Sequence, residues 1–177
     1  SEKVTLYQKN WGFTHLNNIH LPEGFLLVDS GVLGETSDAV SIVSKKKKEN
    51  PQLFTSMMDE LEKAAMDGTE GLLHSNHDKV AKAMKRAHMA LNSLGVGHSS
   101  LDHLSNKLYE LGAEGVKISG AGLGGCLIAL YKNHEEALAA QKAIRKEGYN
   151  AWSLDEEWFG DKNSSRLQQH RADQILG

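Results

Sequence analysis

Between Asn50 and Leu111 apolar residues recur at spacings of three and four in three successive stretches, and beyond Gly115 they collapse into short runs broken by glycine. That change of period forces helices and strands into one fold. In the first stretch Leu53, Phe54, Met57, Met58, Leu61, Ala64 and Ala65 form the inward stripe of a helix opened by Asn50-Pro51, a cap residue with proline at the first helical position. Asp67–Ser75 holds Gly68 and Gly71 and reads either way. Asn76 caps the next helix, whose inner face carries Val80, Met84, Ala87, Leu91 and Leu94 and which Gly95 ends. Ser100 opens a third, with Leu101, Leu104, Leu108 and Leu111 inward.

The flanking segments complete the order. Val4–Gln8 reads as a short strand and Asn10–Glu23 as loop or a marginal hairpin. Phe25–Asp29 is a continuous apolar run that suits a strand buried on both faces. Thr36-Ser37-Asp38 offers caps for a helix carrying Ala39, Val40 and Val43 inward, with Lys45–Lys48 in its last turn, where cations complement the macrodipole. Val116–Ser119 and Cys126–Tyr131 read as strands. Asn133 with Glu136 opens a helix to Glu147, and Tyr149–Leu154 reads as a last strand. The sum is β-α-β-β-α-β, an α+β ferredoxin-like split β-α-β sandwich with helices inserted at the first crossover. Residues 1–159 form one domain, and 160–177 read as a polar, possibly disordered tail.

Composition narrows the function classes. The 177 residues carry a formal charge of -3, which offers no broad basic field for nucleic acid. No apolar run approaches the ~20 residues of a membrane span, and the first residues, Ser-Glu-Lys-Val-Thr-Leu-Tyr, hold no signal peptide. Cys126 is the single cysteine, in keeping with a reducing, cytoplasmic setting. The chain opens without methionine, as a fragment would.

The chemistry-bearing segment is Lys117-Ile118-Ser119-Gly120-Ala121-Gly122-Leu123-Gly124-Gly125-Cys126. Its glycines let successive amides approach an anion as a nest. Gly120, Gly122 and Gly125 satisfy G-x-G-x-x-G, but a dinucleotide fingerprint must open a helix and this loop opens a strand. No lysine follows, so a Walker loop is excluded. From these residues alone, an anion loop and a plain strand connection stand level. His74 and His77 lie three apart with no second cluster near, and no metal site is expected. His98 and His103 do not share a helix face. Cys126 reads as an inert core thiol, and Asp155-Glu156-Glu157 beside Trp158 as solvated acids.

Lys117–Cys126 resembles the third motif of the GHMP-type small-molecule kinases, K-x-[ST]-G-A-G-G-G-G-C. Leu91–Asp102 is similar to the L-x-x-L-G-V-[GS]-H-x-x-L-[DE] segment of the mevalonate kinase branch. Val28-Asp29-Ser30-Gly31, with Thr36 and Val40, and the Gly148–Leu154 strand follow in the same order. The resemblance covers about Phe25 to Glu157 and departs at Leu123, where many members have glycine. It implies the C-terminal domain of a two-domain kinase that passes a phosphoryl group from ATP, with Mg2+, to the 5-hydroxyl of mevalonate in isoprenoid precursor synthesis.

By the same resemblance Ser119, Gly120, Ala121, Gly122, Leu123, Gly124 and Gly125 line the substrate and phosphate cleft, with Ala121 against mevalonate. Lys117, in the preceding strand, either reaches the cleft or pairs at the surface, and the surface is the preferred reading. The main phosphate loop, P-x-x-x-G-L-G-S-S-A, is not in this sequence, nor are the catalytic Asp and Lys motifs. The resemblance therefore assigns ATP and Mg2+ mainly to a missing N-terminal kinase domain, the chain's expected partner, and assigns no catalytic residue here. It leaves room for a homo-oligomer. Phosphomevalonate kinase, homoserine kinase or a stand-alone ligand-binding module are the alternatives.

Overall fold

A computed structural model describes residues 4–8, 12–16 and 21–153. The 160–177 tail and the Asp155–Trp158 acids lie outside the described residues. β1 (Val4–Gln8) and β2 (Gly12–Leu16) pair as an antiparallel hairpin. Then come β3 (Phe25–Asp29), α1 (Thr36–Glu49), α2 (Pro51–Leu73), α3 (His77–Leu94), α4 (Ser99–Glu110), β4 (Gly115–Ser119), β5 (Cys126–Leu130), α5 (His134–Lys146) and β6 (Asn150–Ser153). The second sheet is four-stranded, in the order β4-β5-β3-β6, and antiparallel throughout. That is the order of a ferredoxin-like split β-α-β domain with helices inserted after its first strand.

Strand alternation explains the layers. Leu26 and Val28 of β3, Val116 and Ile118 of β4, Leu127 and Ala129 of β5 and Ala151 of β6 point to one face. Leu101, Leu104 and Leu108 of α4 and Ala137, Ala140 and Ile144 of α5 close over them as the main core. At one end of the opposite face, α3 covers Phe25 and Leu130 with Val80, Ala81 and Met84. A Cβ on Gly115 would stand 2.7 Å from the Ala81 carbonyl oxygen, so glycine sets the closeness of α3 to β4.

β4 is an edge strand, and its Val116 N–H donates to the Tyr109 hydroxyl at 3.1 Å. Removing that hydroxyl leaves a buried amide unpaired. Tyr109→Phe is therefore expected to lower unfolding free energy by about 1–3 kcal/mol, read as a shifted urea midpoint at unchanged slope. An unshifted midpoint would show that water replaces the hydroxyl.

The caps follow the sequence. Asn50, Asn76 and Asn133 accept from the amides of Leu53, Lys79 and Glu136 at 3.0, 3.0 and 2.9 Å, and Gly95 ends α3 at φ 90°. The departures have physical causes. α2 runs through Gly68 and Gly71 to Leu73, because Gly71 packs where a Cβ would meet the Val80 side chain at 2.8 Å. Met58 and Ala65 of the expected α2 stripe are exposed, so it is only partly covered. Of the residues expected inside on α1, Ala39 is buried but Val40 is 59% exposed. Arg86 ties α3 to α2 through Glu60 and Asp67 and holds both carboxyls below their usual range.

Candidate functional site

The segment Gly120–Gly125 joins β4 to β5 as a loop of left-handed residues. Gly120, Gly122, Leu123, Gly124 and Gly125 have φ of 88°, 93°, 63°, 151° and 78°. Leu123 keeps this conformation despite its side chain, at roughly 1–2 kcal/mol of backbone strain. Two clamps hold it there. On one side Ser30 N–H donates to Gly125 O at 2.9 Å and Gly125 N–H to Val32 O at 2.7 Å. On the other, Leu123 N–H donates to Val96 O at 2.8 Å.

Three glycines are needed for closeness. A Cβ on Gly34 would lie 2.6 Å from Gly122 O, one on Gly122 2.3 Å from Val96 O, and one on Gly124 2.4 Å from Val32 O. Gly120 and Gly125 have open space there, so their requirement is the positive φ alone.

The Leu123 and Gly125 amides thus hold the loop in place, whereas those of Ala121, Gly122 and Gly124 take no part in these anchors. α1 begins at Thr36, two residues past Gly34, and its N-cap Glu35 makes no side-chain hydrogen bond. The positive end of a helix dipole therefore adjoins a glycine loop, a pairing that favours an anion. Leu33, beside Gly34, is 88% exposed.

The structure brings together the three separate segments that carried the resemblance: Val28–Gly31, the Gly95 segment and the glycine loop. Sequence reasoning missed the clamp residues Val32, Gly34 and Val96; the spacing of Gly31 and Gly34 was the available signal for the first side. It also missed His98, whose Nδ1 accepts from Ser100 N–H at 3.2 Å as the cap of α4.

Lys117 is not a surface residue. It is half-buried, its Nζ donates to Ile118 O at 2.7 Å, and burial lowers its pKa. Cys126 is half-buried at the start of β5 rather than deep in the core. His74 Nδ1 meets the Glu70 carbonyl at 3.0 Å and His77 Nε2 meets Glu114 at 2.7 Å, so the pair does not converge on a common ligand. Among the described residues no three His, Cys, Asp or Glu side chains are placed to hold a metal ion, and no helix is long and apolar enough to cross a membrane.

Residues 69–150, which contain the loop and its Val96 clamp, match the family described as GHMP kinases C terminal. The chain belongs to that family. The GHMP domain here is 32% identical over 149 residues to the mevalonate kinase of Pyrococcus furiosus, covering 81% of this chain and 43% of that protein. It thus spans less than half the length of this relative. The L. major mevalonate kinase solved with R-mevalonate shares the fold at a TM-score of 0.71 and 22% identity, over 82% of this chain and 46% of that one. The Streptococcus pneumoniae phosphomevalonate kinase solved with phosphomevalonate and AMPPNP shares it at 0.61 and 19%, over 83% and 44%.

Proposed function

We propose that the chain is the C-terminal half of an ATP-dependent mevalonate kinase and that Ser119–Gly125 lines its phosphate and substrate cleft. The carrying observation is the clamped left-handed loop, set beside an uncapped helix N-terminus and formed from segments that resemble the mevalonate kinase branch. ATP with Mg2+ supplies the phosphoryl group and neutralises part of its charge. Phosphoryl transfer otherwise asks for positioning and fixed donors. The amides of Ala121, Gly122 and Gly124 fit that work: they are outside the anchors, and no Cβ at Gly122 or Gly124 stands in the way. Leu123 and Gly125 contribute by holding the frame. Ala121 faces mevalonate in this reading, and the catalytic acid and lysine come from an N-terminal kinase domain. The setting is cytoplasmic isoprenoid precursor synthesis.

Another GHMP kinase is the second reading, favoured by the phosphomevalonate kinase likeness. One experiment addresses both. The purified 177-residue chain is expected to show no ATP-dependent turnover of mevalonate, phosphomevalonate or homoserine, because P-x-x-x-G-L-G-S-S-A is not in its sequence. Joined to an N-terminal half that carries that motif, it is expected to turn over mevalonate in preference to the other two. Turnover by the chain alone would overturn the two-half reading, and preference for phosphomevalonate or homoserine would replace the substrate. A folded, two-half protein inactive on all three would favour a non-catalytic binding module.

A further inference from the structure

Beside the Val96 clamp lies a polar cluster of His88, Asn92 and Asp102 to which the glycine loop motif assigns no role. His88 of α3 is only 8% exposed. Burial lowers its pKa, Asp102 of α4 raises it and Lys117 of β4 lowers it further. One turn on, Asn92 Nδ2 lies 3.3 Å from His88 Nε2 and 3.1 Å from Asp102 Oδ1. The amide nitrogen has two hydrogens to donate, and a carboxylate only accepts. Both contacts are satisfied together when the imidazole is neutral and accepts at Nε2, which puts its proton on Nδ1, a buried atom with no hydrogen-bond partner of its own. The Asn92 side chain is therefore oriented by two acceptors, one on its own helix and one on α4.

Its other atom, Oδ1, is buried without a hydrogen-bond partner and is pressed against the chain at Gly97, where a Cβ would come within 2.4 Å. Asn92 also accepts the Gly95 N–H at its backbone oxygen, at 3.0 Å. Between Gly95 and Gly97 stands Val96, whose carbonyl receives the Leu123 amide. The same carbonyl is the atom that a Cβ on Gly122 would strike.

We propose that Asn92 is a positioning residue for the glycine loop: braced by His88 and Asp102, it fixes the Gly95–Gly97 turn and so places the Val96 carbonyl that keeps Leu123 left-handed. The catalytic consequence rests on the kinase reading; the mechanical link does not. The hydrogen-bond partners of the Asn92 amide, His88 and Asp102, both lie outside the loop. The link also accounts for a buried, neutral histidine for which phosphoryl transfer has no use.

The test is amide exchange in the ¹⁵N-labelled 177-residue chain, followed at Leu123, with Leu104 and Leu127 reporting the core. Asn92→Ala is expected to speed Leu123 exchange about tenfold or more while the core amides hold. Asn92→Asp should do the same, since two carboxylates then face each other. Asn92→Asp with Asp102→Asn restores a donor opposite an acceptor and should return Leu123 to within about threefold of wild type. In that double variant the histidine ¹⁵N spectrum should show the His88 proton moved from Nδ1 to Nε2.

If Asn92→Ala does not fold, Asp102→Ala removes the same brace at an exposed position and is expected to speed Leu123 alone. Unchanged Leu123 exchange in a folded single variant, an equal rise at Leu104 and Leu127, or no rescue in the double variant would each overturn the proposal. Loss of Leu123 protection together with a two-half protein inactive as a kinase would uphold the brace and sink the kinase reading.

Discussion

Gly122→Val in the two-half protein is expected to lower kcat/KM for phosphoryl transfer at least tenfold, about 1.4 kcal/mol of barrier. The residue has φ 93°, which a β-branched side chain strongly disfavours. Its Cβ would also stand 2.3 Å from the Val96 carbonyl oxygen and 2.8 Å from the Val96 Cβ. Neither atom can swing aside, because Val96 is buried and its carbonyl is bonded to Leu123. The loop must leave its clamp. Gly120→Ala meets no atom and carries only the backbone penalty, so its loss should be smaller. Steady-state kinetics on both variants, with circular dichroism to establish folding, give the comparison. Wild-type kinetics in folded Gly122→Val would remove the loop from the reacting site.

Leu104→Ala carries the largest expected effect on stability. Leu104 is fully buried on α4, which packs on β4 and β5, within a cluster that includes Leu26, Val116 and Ile144. Truncation there removes buried methyl groups and leaves a cavity that regular elements on both sides cannot easily close. A loss of about 2–5 kcal/mol is expected, a large share of the roughly 5–15 kcal/mol that holds a domain folded. Urea unfolding would measure it, and a loss below about 1 kcal/mol would mean that α4 slides in to fill the space.

What the sequence revealed and what it hid divide by the range of the interaction. Asn50-Pro51, Asn76 and Asn133 were legible as caps because each bond spans three residues. The succession of strands and helices was legible because short apolar runs on either side of a glycine-rich segment marked β4 and β5. The extension of α2 was hidden, since Gly71 owes its place to Val80 on the next helix. Val40 was misplaced because Ala39, Val40, Ile42 and Val43 spread around much of a short polar helix and carry no sign of which of them faces a neighbour. In the glycine loop the motif was plain. Which amides were already bonded was not, because their acceptors are Val32 and Val96, remote in sequence. The Lys117 ammonium turns onto its neighbour's carbonyl for a local reason that only the edge position of β4 exposes.

The two clamps have a consequence for the order of assembly. Val32 and Gly34 precede α1, Val96 follows α3, and the whole helical insert lies between them. Bringing those ends onto one short loop closes a long circuit of chain. The entropy of that closure is recovered only after α1, α2 and α3 have packed. The glycine loop is therefore expected to be the last part of the domain to take shape in refolding and the first to let go. Pulse-labelled exchange should find the Leu123 amide protected after those of Leu104 and Leu127, and earlier protection at Leu123 would show the circuit closing before its helices settle. A nascent chain would then set the left-handed geometry of this loop only as its final act.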